Sequence, residues 1–234
     1  MRIFKGLKEA VKEIERDLHE MGVIVHPESY QDQKVGDNPD FETKELQGYC
    51  YKITQRDTLL KEFQDLGGNQ QYIDQEVIDR LSTDWRNPGE AWKLRKDVWE
   101  QFIHDGKFAY TYNERIRVQL ARIIEELHLH PNTRQAVITM YDQHLDMQHL
   151  GGKARIPCSM YYQFLRRTRG GEVYLDVVYT MRSCDLYTHL IYDIVLTMLM
   201  QEWIANTLQI VPGYFTHFIG SLHAYRRDWD KGVF

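Results

Sequence analysis

One segment restricts the fold of this chain more than any other: the strongly apolar run "LIYDIVLTMLMQEWIANTL", residues 190–208. It carries Asp193 near its start and Glu202 further on, which suits a buried helix and not a membrane span. A carboxylate facing a protein interior is costly unless something satisfies it. A chain built around this helix must therefore also answer what Asp193 is for.

The rest of the composition fits one domain. The chain has 234 residues, 43% hydrophobic and 27% charged, enough to bury a sizeable core. A net charge of -5 gives no basic footprint for nucleic acid. The N-terminal "MRIFKGLKEAVKEIERDLHEMG" mixes acids with bases and lacks a signal-peptide core. Cys50, Cys158 and Cys184 form no CxxC pair and leave one odd cysteine. That points to a reducing cytosol, with neither a disulfide framework nor a zinc site.

Along the chain, Phe4, Leu7, Val11, Ile14, Leu18 and Met21 recur every three or four residues. They predict an amphipathic first helix that Gly22 ends. Residues 25–48 are polar and turn-rich, a long ordered loop or an arm over a site. Helical patterns follow near 56–66, 71–82, 90–104 and 113–128, and "HPNTR" breaks the last. "QAVITMY" reads as a strand, and "IPCSMYYQFLRR" and "GEVYLDVVYTM" as two strands joined through "GG". After the apolar helix, "YFTHFIGSLHAY" reads as a last strand. The expected class is α+β: a mixed β-sheet packed with helices in a single domain, 1–234.

Taken singly, the reactive side chains say little. A lone cysteine such as Cys158 is more often a small buried hydrophobe than a nucleophile. His217 and His223 read by default as partly buried histidines. The chain has no P-loop, GxGxxG or HExxH.

In combination they say more. "RIPCSMYYQF", "MRSCD", the helix that carries Asp193 eight residues after that Asp, and "PGYFTHFIGSLHAY" stand in one order and spacing. That arrangement resembles the thymidylate synthase superfamily. Upstream, "HPNTRQAVIT", "YIDQE" and "YTYNER" resemble further segments of it. The similarity is strongest over 106–228, weaker over 70–105 and not usable before residue 50.

The resemblance implies roles for individual residues. Cys158 would add as a thiolate to C6 of a pyrimidine ring, with Arg182 supplying positive surroundings. Arg182, Ser183 and Arg134 match residues that hold the nucleotide phosphate, a task suited to the planar guanidinium fork. The family arginine at position 134 reaches the other subunit's site, which implies a homodimer; Gln135 stands where a second arginine is usual. Glu76 matches the carboxylate that organises water and moves protons. Tyr112 matches a catalytic tyrosine, with Tyr110 open to the same role. His223 and Tyr225 match the pair on the deoxyribose hydroxyl. Asp185 matches the aspartate that contacts the pterin, so 5,10-methylenetetrahydrofolate is the implied cofactor.

Within this resemblance Asp193 occupies the base-reading position. Thymidylate synthases have asparagine there, donating to uracil O4 and accepting from N3–H. Cytosine presents the reverse pattern, an amino donor at C4 and an unprotonated N3. A carboxylate accepts from the amino group and shares a proton with N3. The phage deoxycytidylate hydroxymethylases carry aspartate here. Ser159 follows the nucleophile where histidine is usual, and His189 and Ile191 replace the usual glycine and proline. The sequence stops at "RRDWDKGVF", soon after the His-x-Tyr motif, so another element, such as 25–48, is expected to exclude solvent. The implied activity is folate-dependent 5-hydroxymethylation of dCMP as the free monophosphate, not on DNA or at a membrane. The implied place is the cytoplasm, a host's if the source is a phage. A dUMP hydroxymethylase or thymidylate synthase is the alternative enzyme. A relative that only binds nucleotide is the alternative of another class.

Overall fold

The computed structural model describes residues 1–36 and 38–232. In chain order the elements are β1 (Arg2–Phe4), α1 (Leu7–Met21), β2 (Val23–Val25), β3 (Ser29–Tyr30), β4 (Gln33–Lys34) and β5 (Thr43–Ile53). Next come α2 (Leu59–Asp65), α3 (Gln70–Leu81), α4 (Lys96–Trp99), α5 (Tyr112–Ile116), α6 (Leu120–Leu129), β6 (Val137–Thr139) and α7 (Gln143–Asp146). The chain then runs through β7 (Ser159–Arg169), β8 (Glu172–Asp185), α8 (Leu190–Thr207) and β9 (Val211–Tyr225).

The main sheet has the order β1-β5-β9-β8-β7-β6, with β2 also paired to β5. β7 and β8 are antiparallel and joined at Gly170 and Gly171, whose φ angles of 57° and 84° suit the tight turn. β8 and β9 are parallel, so their connection must cross over, and α8 is that crossover. Its apolar residues lie buried against both strands and against α1, α2 and α3. A helix apolar on all sides is stable only when covered all round. The class is the expected one: a mixed sheet packed with helices, in a single domain.

Several local expectations change. Phe4 is the end of β1 and not a helix residue, and Met21 is exposed. The buried stripe of α1 is Leu7, Ala10, Val11, Ile14 and Leu18. Gly22 does end α1, its N–H on the Leu18 carbonyl at 2.9 Å, but with extended backbone and not the left-handed cap. The 90–104 stretch is a chain of short turns around α4, started by the Asp79 carboxylate accepting from the Glu90 and Ala91 N–H groups. The 113–128 pattern divides into α5 and α6.

Residues 25–48, of which Asp37 lies outside the described residues, are not one loop. β5 begins at Thr43 and pairs with β9 along nearly its whole length. Only the β3–β4 hairpin and the turn after it stand apart, and Tyr30 and Gln31 of that hairpin line the central cavity.

Candidate active site

β8 and β9 lie paired beside the cavity. Their pairing with each other and with β5 passes from Ile219 to Ser221, leaving Gly220 between registered pairs. A Cβ on Gly220 would lie 2.8 Å from the Arg182 carbonyl oxygen, so only glycine permits this approach. From this point on, β8 delivers Arg182, Ser183, Cys184 and Asp185, and β9 delivers Ser221, His223 and Tyr225. All seven face a cavity of about 600 Å³, together with Cys158, Arg80, Tyr112 and Asp193.

Cys158 precedes β7 and is half-buried. Its Sγ is touched by Ser183 Oγ at 3.6 Å and Gln31 Nε2 at 3.7 Å. Arg182 stands one step behind. Its Nη1 donates to Ser183 Oγ at 3.1 Å, while Nε and Nη2 donate to the Pro157 and Ile156 carbonyls at 3.0 and 3.1 Å. The guanidinium thus clamps the backbone leading to the cysteine and acts on the sulfur through a serine.

Glu76 is no exposed helix carboxylate. Arg80 Nε holds its Oε1 at 2.7 Å, one helical turn on, and both are largely buried. Burial pushes the Glu76 carboxyl up while Arg80 pulls it down, with a net rise. Burial also works against the Arg80 charge, but Glu76 together with Tyr162, Tyr112 and Tyr72 outweighs it, and the guanidinium is held above its usual range. Arg80 lies 4.1 Å from the centre of the Tyr112 ring, joining these residues to the cavity wall. The Tyr112 hydroxyl accepts from Ser159 Oγ at 2.9 Å.

Asp193 is 8% exposed, in the first turn of α8. Cys184 Sγ approaches its Oδ2 at 3.7 Å, a weak bond for a buried carboxylate. Burial raises its pKa from 3.8 to about 7, with Arg80 and Arg95 opposing the rise from a distance. Near neutrality it therefore exchanges readily between acid and carboxylate. His189, one turn before it, is driven to about 3 by burial and stays neutral.

His223 Nδ1 lies 3.3 Å from the Ser221 carbonyl oxygen, and burial lowers its pKa, so the ring is neutral and serves as a hydrogen-bonding group. Tyr225 meets it edge-on at 5.1 Å and packs against Tyr30 and Phe41. Asp185 Oδ1 accepts from the Tyr187 and Thr188 N–H groups at 3.0 and 3.2 Å, so part of its work is to cap the turn into α8. Arg134 is exposed and does not line the cavity of its own chain.

Four side chains that line the cavity were not singled out in the sequence. Arg80 was legible as the i+4 partner of Glu76. Cys184 touches Asp193 only because strand and helix meet there. Arg155 is buried with its guanidinium within 4.7–5.6 Å of the Trp99, Phe102, Phe108 and Tyr110 ring centres. Gln31 comes from the region without usable similarity.

The family model for thymidylate synthase matches residues 45–232. The chain belongs to the thymidylate synthase family. A Methanocaldococcus jannaschii protein, named within the same family, is 29% identical over 137 residues, 58% of this chain and 60% of that one. The thymidylate synthase of Streptococcus suis is 29% identical over 112 residues, 48% of this chain and 39% of that one. That of Mycoplasma genitalium is 23% identical over 194 residues, 83% and 52% respectively. The match thus spans about half the length of these relatives. The family is one of one-carbon transferases that act on a pyrimidine nucleoside monophosphate and use methylenetetrahydrofolate. Among the described residues no helix is long and apolar enough to cross a membrane.

Proposed function

We propose that this member of the thymidylate synthase family converts dCMP to 5-hydroxymethyl-dCMP. The observation that carries the reading is Asp193: a carboxylate at the wall of the nucleophile's cavity, held by a thiol and, among the described residues, by no paired cation, with a pKa near neutrality. Opposite uracil O4 an ionised carboxylate meets another acceptor, whereas cytosine offers an amino donor and an N3 that can share its proton. The net reaction replaces the C5 hydrogen by CH2OH, consuming one water and releasing tetrahydrofolate.

In this reading Cys158 adds to C6 and makes C5 nucleophilic, and the same sulfur leaves after C5 loses its proton. Arg182 and Ser183 hold the phosphate, joined by Arg134 from the second subunit of a homodimer. His223 and Tyr225 hold the deoxyribose hydroxyl. Glu76, oriented by Arg80, organises the water near C5. Ser159, which follows the nucleophile where histidine is usual, is buried with its hydroxyl on Tyr112, and in this reading the exchange favours hydration over hydride transfer.

The folate supplies a one-carbon unit at the oxidation level of formaldehyde. The residues fit such a group: among the described residues, Trp92 Nε1, Trp99 Nε1, Arg95 Nη1 and Arg155 Nε are buried donors without hydrogen-bond partners, beside aromatic walls. A flat heteroaromatic ring rich in acceptors matches them, with Asp185 facing its donors.

The test is release of tritium from C5-labelled dCMP and dUMP, each with methylenetetrahydrofolate, with product masses read in parallel. Faster release from dCMP with a hydroxymethyl product is expected. Preference for dUMP would overturn the base assignment. Release from neither would leave a nucleotide-binding module.

A further inference from the structure

Ser159 joins two tyrosines from different parts of the fold. It is fully buried. Its Oγ lies 2.9 Å from the Tyr112 hydroxyl and is also hydrogen-bonded to the Tyr179 hydroxyl. Tyr179 is held rigidly, stacked on Tyr162 at 4.5 Å and 8° and on His217 at 4.7 Å and 11°. His217 is fixed in turn by the Tyr51 hydroxyl at 2.8 Å. Burial pushes both the Tyr112 and Tyr179 phenols up, so each keeps its proton at neutral pH.

Counting protons gives this chain a direction. Each hydroxyl has one proton to donate. Among the described residues Ser159 Oγ is the acceptor open to the Tyr179 O–H, and a buried O–H that donates to nothing is penalised. Tyr179 therefore donates to Ser159. The single Ser159 proton then goes to Tyr112. The Tyr112 oxygen is occupied as an acceptor, and its own O–H is left for the cavity it lines.

We propose that Ser159 and Tyr179 are positioning residues that fix the polarity of this three-hydroxyl chain, so that Tyr112 presents a hydrogen-bond donor to the reacting end of the cavity. The acceptor it suits is the oxygen of a water beside C5, whose free lone pair then faces the ring. The inference rests on the functional reading above, in which Tyr112 faces the reacting pyrimidine.

The test uses kcat and KM for tritium release from C5-labelled dCMP. Tyr179→Phe and Ser159→Ala should each lower kcat about tenfold, with KM for dCMP changed less than about twofold. Because the residues act in series, the double variant should be no slower than Ser159→Ala alone. In a Tyr112→Phe background, Tyr179→Phe should change nothing. Losses that multiply in either double variant, or effects on KM alone, would overturn the inference. If circular dichroism finds Tyr179→Phe unfolded, the cycle between Ser159→Ala and Tyr112→Phe decides by the same criterion. A wild-type enzyme that releases tritium from neither nucleotide removes the functional reading and this inference together. An active wild type with an unaffected Tyr179→Phe removes this inference alone.

Discussion

At the scale of single residues, the proposed function rests on two largely buried carboxylates, and their surroundings separate them. Glu76 is paired with Arg80, and among the described residues Asp193 is not paired with any cation. The raised pKa of Asp193 has a consequence for stability. The folded state holds the proton up to about 7, whereas the unfolded chain releases it near 3.8. Wild-type stability from this group is therefore fullest at low pH and is lost as pH rises through that window. Asp193→Asn has no proton to lose. Its melting temperature relative to wild type should climb from pH 4.5 to 7.5 and then level off, in ligand-free thermal unfolding. A pH-independent difference would mean the carboxylate is not desolvated. For the other pair, Arg80→Met should destabilise the fold by about 3 kcal/mol at pH 8, since it strands a buried charge. Denaturant titration should show a smaller loss as the pH is lowered, because burial without Arg80 favours the protonated Glu76 carboxyl, and a smaller loss again when Glu76→Gln is added.

At the scale of elements, the close approach of β8 and β9 at Gly220 leads into the site. Gly220→Ala should cost about 1–3 kcal/mol, because its methyl group meets the Arg182 carbonyl, which belongs to the paired strand. Calorimetry checks the loss, and an unchanged melting temperature would show that the strands part freely there. The same elements explain what the sequence made readable. β7, β8 and α8 stand out because each has a continuous apolar face or body, and covering α8 decides the architecture. β5 does not stand out. "TKELQGYCYKI" alternates poorly, with half-exposed polar residues on one face and Gly48 in the middle, and only pairing with β9 makes it a strand. The stretch around α4 carries helical periodicity yet stays in short turns, because its packing against α3 runs through the Asp79 side chain. For the site, motif order brought Cys158, Arg182, Ser183, Asp193 and His223 to one cavity. Arg155 and Gln31 were hidden, since a cationic side chain among four aromatic rings leaves no periodic trace.

At the scale of the whole molecule, the exposed Arg134 is the residue the single chain does not explain, and the proposed homodimer does. If each site takes Arg134 from the other protomer, Arg134→Ala and Cys158→Ser should each be inactive alone. Mixed and allowed to exchange subunits at random, they should recover about one quarter of wild-type activity, because half the dimers then hold one complete site. No recovery after demonstrated exchange would place Arg134 outside the partner's site. The central claim concerns the base that the whole assembly selects. The measurement that tests it most directly is the ratio of kcat/KM for dCMP to that for dUMP, by tritium release, in wild type and Asp193→Asn. We predict a wild-type ratio well above one that falls by about a hundredfold in the variant, with dUMP becoming the better substrate. An unchanged ratio in an active variant would contradict the account, because Asp193 would then not face the base.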